Sequence, residues 1–419
     1  MGRGVVRAAL LVVVLAQPGY AQLPSPSAAA LGMGDNYTAV ARGYAAVAWN
    51  PALLALSDNP RTSLAILPVR TIAGLDPVTL ADIAQYGGEF LPATVREEWL
   101  TRIENEGSQQ GTGGGDVTWL AVQAGRFAAQ VSSTLRALSN VTPGAAELIL
   151  FGNYGRASTP RAFDLDGSQL SGFAISTMAV SYGHMVGRQM TAGATFKYTA
   201  GHVLMHGEDR GTTFTANPTA DINFPVVETR SGDFGKIAGG FGMDVGFAMV
   251  RGAWTFGATV QNVFNTFRWD RGELVFRAGL GTFDTETHVT DFEEQDFANA
   301  PTQLQEFVED ARFRPVLAAG LAYAVARELR LSADFRRQLT HSSLEIAPAT
   351  HLGIGAEYLL QPRIPVRAGI AYVEGGYQLT AGAGVDFGPV GIAASMARRD
   401  TDLGVDTILM LTLISTMSR

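Results

Sequence analysis

Residues 189–199 read QMTAGATFKYT and carry two interleaved patterns. Met190, Ala192, Ala194, Phe196 and Tyr198 form an apolar phase, and Gln189, Thr191, Gly193, Thr195, Lys197 and Thr199 form a polar one. A period of two belongs to a β-strand with one face against an apolar medium and the other against a polar one. The pattern recurs. Trp254, Phe256, Ala258 and Val260 alternate with Thr255, Gly257, Thr259 and Gln261; Leu329, Leu331, Ala333 and Phe335 alternate with Arg330, Ser332, Asp334 and Arg336. A soluble sandwich alternates too, but here the polar phase mixes glycine with isolated charges of both signs, as a lumen does. The apolar phase lasts about 9–11 residues, the length of one tilted bilayer crossing. The pattern predicts an all-β fold, a transmembrane antiparallel β-barrel.

Short and long connections alternate if crossings are drawn at 61–70, 116–123, 126–133, 173–185, 189–200, 236–250, 254–264, 314–326, 329–338, 350–360, 365–374, 377–386, 389–398 and 404–416. That gives about 14 strands, with both barrel ends on the periplasmic side and the long loops outside. Two outer turns are tight, near Gly375-Gly376 and at 399–403, and the strand-like residues 202–230 and 272–280 are assigned to projecting hairpins. Helices are expected in the loop 71–115. Asp76 is placed to cap one ahead of Pro77, and Thr94 with Glu97 has the spacing of a capping box. Gln303 to Ala311, in an acidic stretch, reads as a solvated surface helix.

Composition supports this reading. The 419 residues include 48 glycines, no cysteine and only 17% charged side chains, glycine-rich and charge-poor beside a soluble enzyme, which averages about 25% charged. Without cysteine there is neither a disulfide framework nor thiolate chemistry. Residues 1–21 read as a secretory signal: Arg3 and Arg7, an apolar run from Ala8 to Ala16, then a small-x-small site at Gly19-Tyr20-Ala21. Losing them takes the formal charge from -8 to -10. An acidic exported chain without basic clusters is a poor nucleic-acid ligand.

Between signal and first strand, residues 28–56 read AAALGMGDNYTAVARGYAAVAWNPALLAL. This small-residue segment carries Leu31, Gly32, Met33 and Gly34 and closes on Trp49, Asn50, Pro51 and Ala52. It resembles the hatch of the long-chain fatty-acid transporter (FadL-like) family and of PorV-type barrels, in which a glycine-rich N-terminal segment ends in Asn-Pro-Ala before the first strand. The chain departs from such hatches at Ala41-Arg42-Gly43-Tyr44, where they often carry Ala-Asp-Asp-Ala, which loosens any transfer of substrate. The resemblance implies a hatch (22–60) folded inside a barrel (61–419). Outer-membrane barrels commonly end on an aromatic residue, and this sequence ends Met417-Ser418-Arg419.

The polar phase carries Lys197, Asp244, Arg330, Asp334, Arg336, Glu357, Arg367 and Asp386. Within a lumen these either pair across the wall or clamp the hatch, because buried charges must be paired. Nothing requires a cofactor or metal. His202 and His206 share one face of an extended segment near Glu208 and Asp209 without converging ligands. Asp164, Asp166 and Gly167 open like a calcium loop but read as an Asp-Gly turn. Ser181, His184 and His202 form no local hydrolase motif, and no enzyme is expected. Two functions follow for an outer-membrane protein of a Gram-negative-type cell. One is a porin-like channel, gated by the hatch, for uptake of a hydrophobic or amphipathic small-molecule ligand. The other is a non-transporting scaffold of PorV type holding an exported protein partner. Membrane lipids are partners in both.

Overall fold

The computed structural model describes residues 23–157, 159, 162–215, 219–230, 238–283, 288–340, 342–344, 348–401 and 404–417. The expected signal, residues 1–21, lies outside them. Fourteen long strands build the wall: β1 Thr62–Asp76, β2 Gln109–Ala124, β3 Phe127–Val141, β4 Gln169–Met185, β5 Met190–Glu208, β6 Ala238–Arg251, β7 Trp254–Asn265, β8 Val316–Ala324, β9 Leu329–Gln338, β10 Thr350–Gln361, β11 Ile364–Val373, β12 Gly376–Asp386, β13 Val390–Thr401 and β14 Gly404–Met417. Each pairs antiparallel with the next, and β1 pairs with both β2 and β14, so the wall closes. Closure satisfies the backbone groups that lipid cannot.

All fourteen expected crossings are strands. The differences lie at the loop ends, where β1, β2, β3 and β5 extend past the expected limits to Asp76, Gln109, Val141 and Glu208. Residues 202–208, expected in an outer hairpin, continue β5 because they pair with β4, Ser171 opposite His206. Beyond the bilayer neither face needs to be apolar, so the period-two signal fades while pairing goes on; Gln109 to Gly115, QQGTGGG, shows none of it. The outer face carries two aromatic belts. Phe127–Tyr182 and Trp254–Tyr323, with ring centroids 4.7 and 4.3 Å apart, mark the short-turn end, and Tyr198–Phe241 and Tyr372–Tyr377 mark the loop end. Such girdles bound the apolar band of a membrane barrel.

The loop helices differ in detail from expectation. Asp76 ends β1; the first helix, Leu80–Gln85, is capped by Thr79, with Asp82 completing the box. Its follower, Ala93–Glu106, starts after Pro92 with no side-chain cap, so Thr94 and Glu97 do not act as a box. The helix Thr302–Asp310 is no free surface element. Leu304 and Val308 are buried in a cluster with Phe267, Trp269 and Leu344, and Phe307 stacks on His206 at 3.8 Å. It roofs the barrel mouth.

Inside the barrel lies residues 23–60, with helices α1 (Ala28–Gly32) and α2 (Ala46–Trp49) and a 3-10 turn at Pro51–Ala55. Nearly every side chain from Leu23 to Leu56 is buried. This segment reaches the wall because the wall lacks side chains where they meet. Any Cβ on Gly369 would collide with the backbone of Met33 and Gly34, one on Gly355 with Met33, and one on Gly246 with Asn50. Gly183 and Gly193, opposite each other in β4 and β5, likewise give room to Pro51 and Leu54. A glycine-rich band of wall thus accepts backbone against backbone.

Gly369→Ala is therefore expected to weaken plug seating by about 1–3 kcal/mol, the usual range for overpacking. Gly113→Ala, where a Cβ meets open space, should be silent. Protease sensitivity of the N-terminal segment across a urea series, with the barrel still heat-modifiable on gels, checks this.

Candidate functional site

The plug is held by polar contacts aimed at its backbone. Asn50 donates from Nδ2 to the carbonyls of Thr38 (3.3 Å) and of Phe247 in β6 (3.1 Å), while its Oδ1 accepts from Ala52 N at 3.1 Å. The last bond caps the 3-10 turn that Pro51 opens, a position where proline loses no hydrogen bond. Gln261 of β7 donates to Ala48 O at 3.0 Å. Trp49 donates to Ser25 Oγ at 3.0 Å, meets Tyr37 edge-on, and carries the Arg336 guanidinium 4.9 Å from its ring centroid. At the other end, Gly32 O accepts from Thr380 Oγ1 (3.0 Å), and Ala28 is held between Ser395 and Thr412. Gly34 turns the chain with φ +72°, a left-handed conformation that glycine adopts freely. Arg42 donates from Nη1 to the carbonyls of Ala39, Val40 and Ala41 and pairs with Asp58 at 2.9 Å. It stitches the plug to its own exit.

The eight charges expected in the lumen face inward and form three groups. Asp334 is the clasp: its Oδ2 accepts from Tyr37 N and Thr38 N at 2.9 and 2.8 Å, and Arg336 lies two residues on in the same inward phase. Lys197 pairs with Asp244 at 2.6 Å across β5 and β6 and donates to Asn262 at 2.7 Å. Asn262 occupies a β6–β7 irregularity with φ +51°, and its own N–H donates to Asp244. Toward the short turns Glu357 takes Arg367 at 2.8 Å and Arg330 at 3.7 Å, with Asp386 in the same phase near the end of β12. Tyr37 faces this group, and burial foremost, then Glu357, raises its phenol above the ordinary value. The hatch residues and Asp334 thus meet; the other two groups pair mainly within the wall.

A fourth group was not anticipated. Arg70, Arg136 and Arg399, together with Asp35, Asp116, Asp406 and His351, surround a small cavity of about 40 Å³ over the plug and the floor of the space above it. Arg136 forks onto Asp116 at 3.0 and 3.1 Å, Arg70 reaches Asp35 at 3.4 Å, and His351 is 2.9 Å from Asn36. Arg136 continues the polar phase of Ser132 and Thr134 and was legible from it. Arg70 was not: a bulge at Leu67, with φ +53°, slips the β1 phase, so that Ser63 and Ala65 face inward before it and Arg70 and Ile72 after it. Above the floor opens a vestibule of about 640 Å³, walled by the outer ends of β1 to β5 and roofed by the helix Thr302–Asp310. Of the two histidines, His202 bonds Ser176 at 2.9 Å and His206 bonds Ser171 at 2.7 Å. Asp164 forms an Asx turn with Asp166 N at 3.0 Å.

A closed fourteen-strand barrel with a helical segment clasped in its lumen defines a plugged transmembrane β-barrel of FadL-like fold. Among solved structures the chain is similar to the Pseudomonas putida toluene transporter TodX, at 13% identity and TM-score 0.51, covering 96% of this chain and 99% of that one. It is also similar to the Ralstonia pickettii toluene transporter TbuX (14%, TM-score 0.52, 96% and 98%) and to a Pseudomonas aeruginosa FadL homologue (13%, TM-score 0.50, 94% and 99%). No protein of curated function matches it by sequence. The chain belongs to the family described as "Family of unknown function (DUF5723)", matched over residues 51–389.

Two outcomes follow. Asp334→Ala leaves two buried N–H groups without their acceptor and is expected to cost about 3 kcal/mol of plug seating, read by protease protection of residues 23–56. Burial pushes the Asp35 carboxyl up, but Arg70, Arg336 and Arg399 pull it down further, so it ends below the ordinary value. A depressed folded pKa stabilises the seated plug above the unfolded carboxylate value of about 3.9 and loses that contribution as pH falls through the folded value. Protection should hold from pH 7 to about pH 5 and decline below about pH 4, and Asp35→Asn should flatten that decline.

Proposed function

We propose that this protein, exported after removal of residues 1–21, is an outer-membrane channel in which residues 22–60 gate the barrel 61–419. The observation that carries the reading is the plug itself. A barrel of this strand number encloses a lumen wider than its own side chains fill, and here a separate segment fills it beneath an open vestibule. The contacts are hydrogen bonds to backbone and small-residue packing, which a shift of a few ångströms can exchange for water. The resemblance implies hydrophobic or amphipathic cargo, and two of the similar structures bear the name of toluene transporters. The vestibule of this chain is lined by Gln110, Thr112, Ser139 and Asn140, which favours the amphipathic half of that range.

A scaffold of PorV type is the second reading, favoured by the loop surface. Phe90 is 85% exposed and Ile149 74%, and Leu80 and Ile83 of the first loop helix are about half exposed. Exposed apolar side chains gathered on a solvated loop surface suit a protein contact.

In planar bilayers the intact protein is expected to be closed or to flicker, and the protein lacking residues 22–56 to conduct steadily. Silence from both, with insertion verified, would reject the channel. A stoichiometric partner co-purified from gently solubilised membranes would then support the scaffold.

A further inference from the structure

We infer that the barrel rim at the short-turn end docks on anionic phospholipid, a ring of arginines meeting the headgroup phosphates and a furrow in the outer wall holding an acyl chain. Six connections of two to four residues join β2 to β3, β4 to β5, β6 to β7, β8 to β9, β10 to β11 and β12 to β13 at this end. Arg126, Arg188, Arg251, Arg327 and Arg363 stand in or beside five of them, and Arg61 stands just ahead of β1. All six are exposed, and none of their side chains makes an ion pair or hydrogen bond among the described residues. Carboxylates are scarce there. Glu328 is the one in these connections, Asp58 is already held by Arg42, and Asp386 closes β12 in the inward phase. The charge is divided along the axis, because the loop segment 288–310 carries seven carboxylates and neither lysine nor arginine. A chain of formal charge -8 thus keeps a positive rim at one end.

Two features select lipid over a soluble or protein partner. The first is that the arginines border the membrane: Arg126 precedes Phe127, and Arg251 pairs across its turn with Trp254, both members of the aromatic belt. Exposed Val186, Val325, Leu360 and Phe387 accompany the other turns. Guanidinium and apolar side chain side by side suit a bilayer interface, where each finds its own layer. Turns two strands apart lie about 10 Å from each other, beyond the screening length of about 8 Å at physiological salt. Each arginine therefore acts nearly alone, and mobile phosphates can meet all of them where a rigid partner would have to match the spacing. The second feature is a furrow of about 560 Å³ on the lipid side of β7 to β11. Ala333, Ala356 and Ala368 form its floor, Ala356 directly opposite Ala368, and Leu321, Leu331 and Ile370 flank it. The furrow reaches the belt at Trp254 and Tyr323, three and four residues from Arg251 and Arg327. A phospholipid whose phosphate meets those guanidinium groups lays its hydrocarbon in the furrow, and guanidinium matches phosphate in shape and charge. This surface stands without the channel reading; only its assignment to the periplasmic leaflet rests on the outer-membrane placement.

The test is electron spin resonance of spin-labelled phosphatidylglycerol and phosphatidylcholine with the full-length protein in phosphatidylcholine bilayers. Phosphatidylglycerol is expected to associate about threefold or more strongly. That preference should fall toward one between about 10 mM and about 1 M salt, as the screening length shrinks from about 30 to about 3 Å. Replacing Arg126, Arg188, Arg251, Arg327 and Arg363 together by glutamine should abolish it, and Arg271→Gln, at the loop end, should leave it unchanged. If the combined variant is not heat-modifiable, the pairs Arg126→Gln with Arg188→Gln and Arg327→Gln with Arg363→Gln decide, each expected to lower the preference. Equal association of the two lipids at low salt, or an undiminished preference in a folded rim variant, would overturn the inference. Displacement of the labelled lipid by glycerol 1-phosphate at constant ionic strength would overturn it too, by showing a site for a soluble anion. A rim that ignored phosphatidylglycerol but retained an acidic soluble protein would be a protein interface, and the inference would fail. Lipid preference in a protein whose truncated form is silent would sink the channel and leave the rim standing; a conducting truncated form without the preference would do the reverse.

Discussion

The structure depends on one steric constraint, the approach of the plug backbone to the strand backbone. Where residues 32–34 cross β10 to β12 and residues 50–55 cross β4 to β7, the wall offers glycine, and a single methyl group at Gly369, Gly355 or Gly246 would enter the space the plug occupies. Close approach brings the plug's N–H and C=O groups within reach of wall side chains, and those groups need partners once water is gone. The clasp at Asp334, the amide of Asn50 and the hydroxyls of Thr380 and Ser395 supply them. The wall glycines that face the plug are thus explained by packing rather than by flexibility.

The same constraint explains what was legible in the sequence. Strands within the bilayer must alternate, so β5, β7 and β9 announce themselves in residues 189–199, 254–261 and 329–336, and their inward charges follow from phase alone. The Asn-Pro-Ala end of the hatch was legible through its resemblance to other barrels. Strand extensions beyond the bilayer were not, since their pairing partners lie far off in sequence and neither face is obliged to be apolar. Arg70 was hidden for a different reason: the bulge at Leu67 moves it from one phase to the other, and a non-glycine residue at φ +53° leaves no mark in the sequence. The vestibule likewise could not be read, because it is assembled from the ends of many strands and one distant helix.

The polar contacts divide along the axis of the barrel. The lower half, with Arg330, Glu357 and Arg367 paired within the wall, is structural. The middle, where Asp334, Arg336, Trp49 and Asn50 lie, carries contacts between plug and wall. The upper part, from Arg136 and Arg399 to the roofing helix, encloses the vestibule of about 640 Å³. The plug is fastened to the wall through many hydrogen bonds, from Asp334, Phe247, Gln261, Thr380 and Ser395. Arg42 ties the plug's end to Asp58.

The central claim is that residues 28–56 are an integral, seated part of the lumen. Amide hydrogen exchange of the full-length protein in lipid nanodiscs tests it most directly. The account predicts that peptides from 28–56 exchange as slowly as those from β9 and β10, with the amides of Tyr37 and Thr38 among the slowest of the segment. Exchange of that segment within seconds, at the rate of the outer loops, would mean that the plug is not held by the wall, and the account would fail.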